Sequence, residues 1–153
     1  MIKHISIGAK NPARTAQTLA QFWQVPALPF PMYDDSYVVF LGSNTSCCVE
    51  IYPLGQLTLN GDNTLPELDR SKPLSAGPFH AALAVEIDEA QIGRICDTAG
   101  WRYRTVDRGG VFQVIEVWIE NHTLFEILTP EMAAAYEQFA NVDNWQRIFG
   151  QAS

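Results

Sequence analysis

Polar and apolar residues alternate through "HISIGAK", with Ile5 and Ile7 on one side and His4 and Ser6 on the other, the period of a half-buried strand. The pattern then changes to helical spacing. In "NPARTAQTLAQFW", Asn11 is placed to cap, Pro12 to open the first turn, and Ala16, Leu19, Ala20 and Trp23 to form one apolar face. "SYVVFLGS" and "TSCCVEIYPLG" predict two antiparallel strands, and the irregular "PALPFPMYDD" before them has room for one short strand. Residues 1–54 thus predict a βαβββ module. From 55 to 78 the chain turns to Gly, Pro, Asn, Asp and Ser, as in a linker or functional loop.

The pattern restarts in residues 79–130. "FHAALAVEI" predicts a strand, "DEAQIGRICDTAGW" a helix opening on Asp88 and closing near Gly100, and "RYRTVD", "VFQVIEVWIEN" and "TLFEILTP" three further strands. This is a second βαβββ module. Residues 131–150 predict an amphipathic helical tail that docks Phe139, Trp145 and Phe149 on the body.

The two halves repeat without a gap. His4 to His80 is 80 − 4 = 76, Glu50 to Glu126 is 126 − 50 = 76, and "HISI" falls on "HAAL" as "VEIY" falls on "FEIL". A carboxylate inside an apolar strand is costly unless it is paired, ligated or turned to a wet face. Alternation puts His4, Glu50, His80 and Glu126 opposite the bulky residues Ile5, Val49, Ile51, Leu83, Phe125 and Ile127. The bulky face is where the helices should pack. The other face is then left to bound a cavity holding the four polar residues.

At 153 residues, 47% of them hydrophobic, the chain suits one well-cored domain. The charge of −7, from 10 Lys and Arg against 17 Asp and Glu, would repel a phosphate backbone, so nucleic acid is not expected as a partner. No apolar run is long enough for a membrane span, and "MIKHISIGAKNPA" lacks the apolar region of a signal peptide; the expected compartment is the cytoplasm. Three cysteines, Cys47 and Cys48 adjacent, suit neither a disulfide framework nor a zinc motif.

Paired βαβββ modules with His and Glu on their first and last strands resemble the vicinal oxygen chelate superfamily, which includes glyoxalase I, fosfomycin and bleomycin resistance proteins, and extradiol dioxygenases. The resemblance covers roughly residues 2–130. It implies an α+β fold in which two βαβββ modules form a curved mixed sheet around a cavity, here followed by a C-terminal helix. In members of the glyoxalase type the metal ligands come from the first and last strands of both modules, which maps onto His4, Glu50, His80 and Glu126.

Two imidazoles and two carboxylates suit one divalent ion such as Ni, Co, Fe, Mn or Zn. Such an ion holds two neighbouring oxygens of a small substrate and stabilises an enolate, with Glu126, or next Glu50, as base. Cys48, Tyr52, Glu116 and Trp118 share the cavity face and are candidate substrate contacts, with Arg108 at the following turn. Solvation of the strand face would equally explain Glu116 and Trp118, and an exposed edge strand would explain Arg102 and Arg104.

Glutathione-dependent glyoxalases commonly carry an Arg and an Asn where this chain has Gly8 and Leu54, which argues against glutathione as a substrate component. Extradiol dioxygenases use two His and one Glu, so Glu50 makes that chemistry less natural. A metal-free, ligand-sequestering protein of the bleomycin-resistance type is the alternative. Superfamily members of this size commonly pair, so a homodimer is expected.

Overall fold

A computed structural model describes residues 4–30, 33–58, 67–70, 80–141, 144 and 147. The chain forms two compact units, Met1–Pro78 and Phe79–Ser153.

The first unit begins with β1 (His4–Ala9) and α1 (Pro12–Trp23). The Asn11 side chain accepts the backbone N–H of Arg14 at 3.0 Å, and Pro12 opens the helix, where its missing N–H costs nothing. Then come β2 (Leu28–Pro29), β3 (Tyr37–Phe40) and β4 (Cys48–Pro53), in the sheet order β1-β4-β3-β2. β1 runs parallel to β4, and the other pairs are antiparallel. α1 lies against β1, β3 and β4. Leu19 and Phe22 of the helix and Val39, Val49 and Ile51 of the sheet are almost wholly buried, each contributing about 1.5–3 kcal/mol.

The segment expected as a loop holds a two-stranded antiparallel ribbon, β5 (Gln56–Thr58) with β6 (Glu67–Asp69). Three-residue strands carry too short a period to stand out from their Gly, Pro and Asn surroundings.

The second unit repeats the plan with β7 (His80–Ala84), α2 (Glu89–Ala99), β8 (Arg102–Asp107), β9 (Gln113–Ile119) and β10 (Thr123–Leu128), in the order β7-β10-β9-β8. The Asp88 carboxylate caps α2 through the Gln91 N–H at 2.7 Å, and Gly100, at φ 72°, closes it in the left-handed conformation that glycine adopts without penalty. Ile115, Val117, Phe125 and Ile127 are buried on one face of the sheet. Tyr103 and Thr105 share that face and bond Asp97 and Glu89 of α2. Glu120 and Asn121, both at positive φ, make the tight turn between β9 and β10, and the Asn121 amide ties Arg102 N–H to Gly100 C=O.

α3 (Pro130–Phe139), capped by Thr129, lies against β9 and β10, where Phe112 packs on Tyr136 and Phe139. Trp145 and Phe149 of the expected tail lie outside the described residues. The architecture is therefore α+β, two four-stranded mixed sheets each built from one βαβββ module.

Candidate functional site

The parallel strand pairs of the two units have one register. His4 faces Cys48 and His80 faces Leu124, so the partner lies 48 − 4 = 44 and 124 − 80 = 44 residues on. Ser6 is thereby set opposite Glu50, and Ala82 opposite Glu126. These are cross-strand neighbours whose side chains share a face.

In the first unit that face carries a connected polar group. The Glu50 carboxylate, 8% exposed, accepts the Ser6 hydroxyl at 2.8 Å and the Tyr52 hydroxyl at 2.7 Å, both on Oε2. His4 Nε2 stands 3.8 Å from the same oxygen, with its imidazole exposed. Tyr52 is held edge-on by Tyr33 and lies beside Phe30. Burial, together with its bond to Glu50, pushes the Tyr52 phenol up to about 12. Burial and the nearby Glu50 charge likewise raise the Cys48 thiol, which keeps it protonated and a poor nucleophile at neutral pH.

In the second unit the same face is an ion-pair network. Glu126, Glu116 and Arg104 lie side by side across β10, β9 and β8. Arg104 Nε donates to Glu116 Oε2 at 2.7 Å, and Arg108 Nη2 donates both to Glu116 Oε1 at 3.0 Å and to Glu126 Oε1 at 2.5 Å. Glu116 is 5% exposed, and the Arg104 bond, joined by Arg108, holds its carboxyl below the usual range. The bond to Glu126 in turn raises Arg108 further above its ordinary value. In the neighbouring row Arg102 stacks over Trp118, 5.6 Å from the ring centre. Trp118, Arg102 and Arg104 join Asp97, Trp101 and Tyr103 in lining an open cavity of about 570 Å³ at the β8 edge.

His4, Glu50, Cys48 and Tyr52 are therefore gathered in the first unit, and Glu116, Glu126 and Arg108, with Trp118 beside them, in the second, which also carries His80 across from Leu124. Among the described residues no group of three or more His, Cys, Asp or Glu side chains is placed to hold a metal ion.

No protein-family model matches the chain, and no curated protein matches it significantly. Solved structures do. The genomically encoded fosfomycin resistance protein FosX from Listeria monocytogenes, in its monoclinic form, is similar with a TM-score of 0.57 at 12% identity, over 91% of this chain and 98% of that one. The chain has the vicinal oxygen chelate fold. Lactoylglutathione lyase from Agrobacterium tumefaciens has it too, with a TM-score of 0.54 at 8% identity over 83% of this chain and 91% of its own. A mutant of the Listeria FosX complexed with Mn(II) and 1S,2S-dihydroxypropylphosphonic acid matches at a TM-score of 0.57 and 11% identity, over 91% and 97%.

That neighbour is complexed with Mn(II), and a divalent ion would set a definite spacing on the donors of this chain. Two atoms each about 2.1 Å from one ion stand about 3 Å apart at a right angle and about 3.4 Å at the tetrahedral angle. At 3.8 Å, His4 Nε2 and Glu50 Oε2 need less than 1 Å of closure, and the exposed imidazole can supply it. His80 and Glu126 are of the same donor types on the same scaffold, although the Glu126 carboxylate is bound by Arg108.

Ser6, not among the residues expected at the site, is nonetheless legible in the sequence. It shares the face of His4 two residues away, and only a donor of its kind can reach a carboxylate opposite. Arg104 lies on the edge strand β8, as expected, and its bond to Glu116 depends on the register of β8 on β9.

Proposed function

We propose that the chain is a metal-dependent enzyme of the glyoxalase type, acting on a small oxygen-rich substrate, with His4, Glu50, His80 and Glu126 as the ligands of one divalent ion. The observation that carries this reading is the repetition of a His–Glu set, 76 residues apart, on parallel strand pairs of one register. When bound, the ion would supply Lewis acidity that holds two adjacent substrate oxygens and stabilises enolate charge.

The chain's own residues supply the rest. Ser6 and Tyr52 restrain the Glu50 carboxylate by two hydrogen bonds to one oxygen, as partners of metal-binding carboxylates commonly do. Glu126 is the base, taking a proton once Arg108 withdraws, and Glu50 is the second candidate. Cys48, Tyr52, Glu116, Trp118 and Arg108 are the proposed substrate contacts, Trp118 offering a flat apolar surface and Arg108 a cation for an acidic group. Gly8 and Leu54 offer no charged or amide group for a glutathione moiety. A homodimer in the cytoplasm completes the reading; among the described residues no helix is long and apolar enough to cross a membrane.

One observation favours a second reading, that of a metal-free binding protein: Arg104 and Arg108 already balance Glu116 and Glu126. Elemental analysis after reconstitution with Ni, Co, Mn or Zn separates the two. About one ion per chain is expected in the wild type and loss of it in Glu126→Ala; a wild type that stays empty would leave the binding-protein reading.

A further inference from the structure

Arg102, Arg104 and Arg108 lie within one short stretch of a chain whose net charge is −7. Arg108 is engaged by Glu116 and Glu126. Arg102 and Arg104 instead border the open cavity of about 570 Å³ at the β8 edge, a size that suits a small organic molecule. Trp101, Tyr103 and Trp118 give that cavity three aromatic rings. Its described lining belongs wholly to the second unit and includes none of the proposed metal ligands.

Both guanidiniums are held in place by neighbours of the same unit. The Asn121 side-chain oxygen accepts the Arg102 backbone N–H at 2.8 Å and its Nε at 3.3 Å, and the Asn121 carbonyl accepts Arg102 Nη2 at 3.1 Å. Arg102 is thereby kept over the Trp118 ring. Arg104, among the described residues, gives only its Nε, to Glu116 Oε2. Glu116 is buried and its other oxygen is held by Arg108, so it is a fixed post for Arg104. The outer end of the Arg104 guanidinium, with both Nη groups, stays open on a side chain that is 69% exposed. Its parallel N–H donors match the two oxygens of a carboxylate. Asp97, the acid in the described lining, accepts the Tyr103 hydroxyl at 3.4 Å on the helix-facing side of β8. It repels an anion from that side and directs it towards Arg104.

We infer that the cavity at the β8 edge binds a small aromatic carboxylate, with its acid group on the open end of Arg104 beside Arg102 and its ring against Trp118. A bare anion would leave the aromatic surface in water, and a neutral ring would leave the guanidinium fork unfilled. Because every group involved lies in the second unit and none is a proposed metal ligand, the inference holds for a metal-dependent enzyme and for a metal-free binding protein alike. It gives a chemical class to the molecule that Trp118 meets, and it adds Arg102 and Arg104 as the residues that select it.

The test is calorimetric titration of the full chain, with a chelator present, using cinnamate, cinnamamide and inorganic phosphate in turn. Cinnamate should bind saturably. Cinnamamide keeps the ring without the charge and phosphate keeps the charge without the ring, so each should bind about tenfold more weakly, the equivalent of one charge-assisted bond or one good stacking contact. Arg104→Gln should lower the affinity for cinnamate about tenfold and leave that for cinnamamide unchanged, whereas Trp118→Leu should weaken both several-fold. A merely structural role for Arg104 lowers the two together, and that result overturns the assignment. So does a wild type that shows no saturable cinnamate binding, or that binds cinnamamide or phosphate as tightly as cinnamate. With no metal present, each of these outcomes leaves the metal-dependent reading untouched. If Arg104→Gln does not fold, Arg102→Gln takes its place, and an unchanged preference for acid over amide in that variant overturns the inference.

Discussion

Replacing Arg108 by Ala should cost the metal-free protein about 3 kcal/mol of stability, more than an exposed ion pair contributes. The two bonds lost, at 2.5 Å to Glu126 and 3.0 Å to Glu116, have acceptors only 12% and 6% exposed in their side chains. Charge-assisted bonds in such surroundings are worth about 1.5–3 kcal/mol each, but the donor is 37% exposed, so about 1 kcal/mol apiece is the appropriate figure. The remainder is repulsion. Glu116 and Glu126 face each other on neighbouring strands, and two charges about 5 Å apart at an effective dielectric of about 20 repel by about 3 kcal/mol. Arg104 stays paired with Glu116 and offsets most of that, leaving about 1 kcal/mol to add to the two bonds. Urea unfolding at pH 7 with a chelator present measures the loss. The double variant Arg108→Ala, Glu126→Gln removes the orphaned charge and should recover at least about 1 kcal/mol. A loss below about 0.5 kcal/mol in Arg108→Ala, or no recovery in the double variant, would refute the bridge.

Two expectations concern pH. Tyr52 should titrate near 12, seen as a late phenolate step in ultraviolet absorption that Tyr52→Phe abolishes. Because its folded value is raised, the stability it contributes is full below the ordinary value of 10.0 and is lost as pH rises through about 12; a stability curve flat over that window would contradict the Glu50 bond. Glu116 has the opposite sign. Its folded value is lowered, so its contribution is present above the ordinary 4.5 and lost as pH falls through the folded value, and Glu116→Gln should flatten the acid limb of the stability curve.

The features legible in the sequence are those set by local rules. Asn11, Pro12, Asp88 and Gly100 marked the helix ends because capping is decided within four residues. Alternation separated Glu50 from Val49 and Ile51, and Glu126 from Phe125 and Ile127, since a strand has only two faces. What stayed hidden depends on chain geometry far from the residues concerned. Arg108 reaches Glu126 across 18 positions because the turn after β8 folds its side chain back over the sheet. The unlike neighbours Val38 and Glu116 were masked by loop length. Phe40 faces Cys48 across 8 positions, whereas Trp118 faces Leu124 across 6, so this strand falls two residues out of the 76-residue repeat. A count of 116 − 76 = 40 points to Phe40, while the sheet aligns Glu116 with Val38.

That two-residue slip bears on how the modules divide the work. Glu50 is bonded by the neutral hydroxyls of Ser6 and Tyr52, with the His4 imidazole 3.8 Å from the same oxygen. Glu126 is instead bonded by a guanidinium, whose positive charge offsets its attraction for a further cation. On the metal-dependent reading, ligation by Glu126 would require the Arg108 bond to be displaced. The difference is set by the strand facing each carboxylate: Val38 lies opposite Glu50, whereas Glu116, which anchors Arg108, lies opposite Glu126.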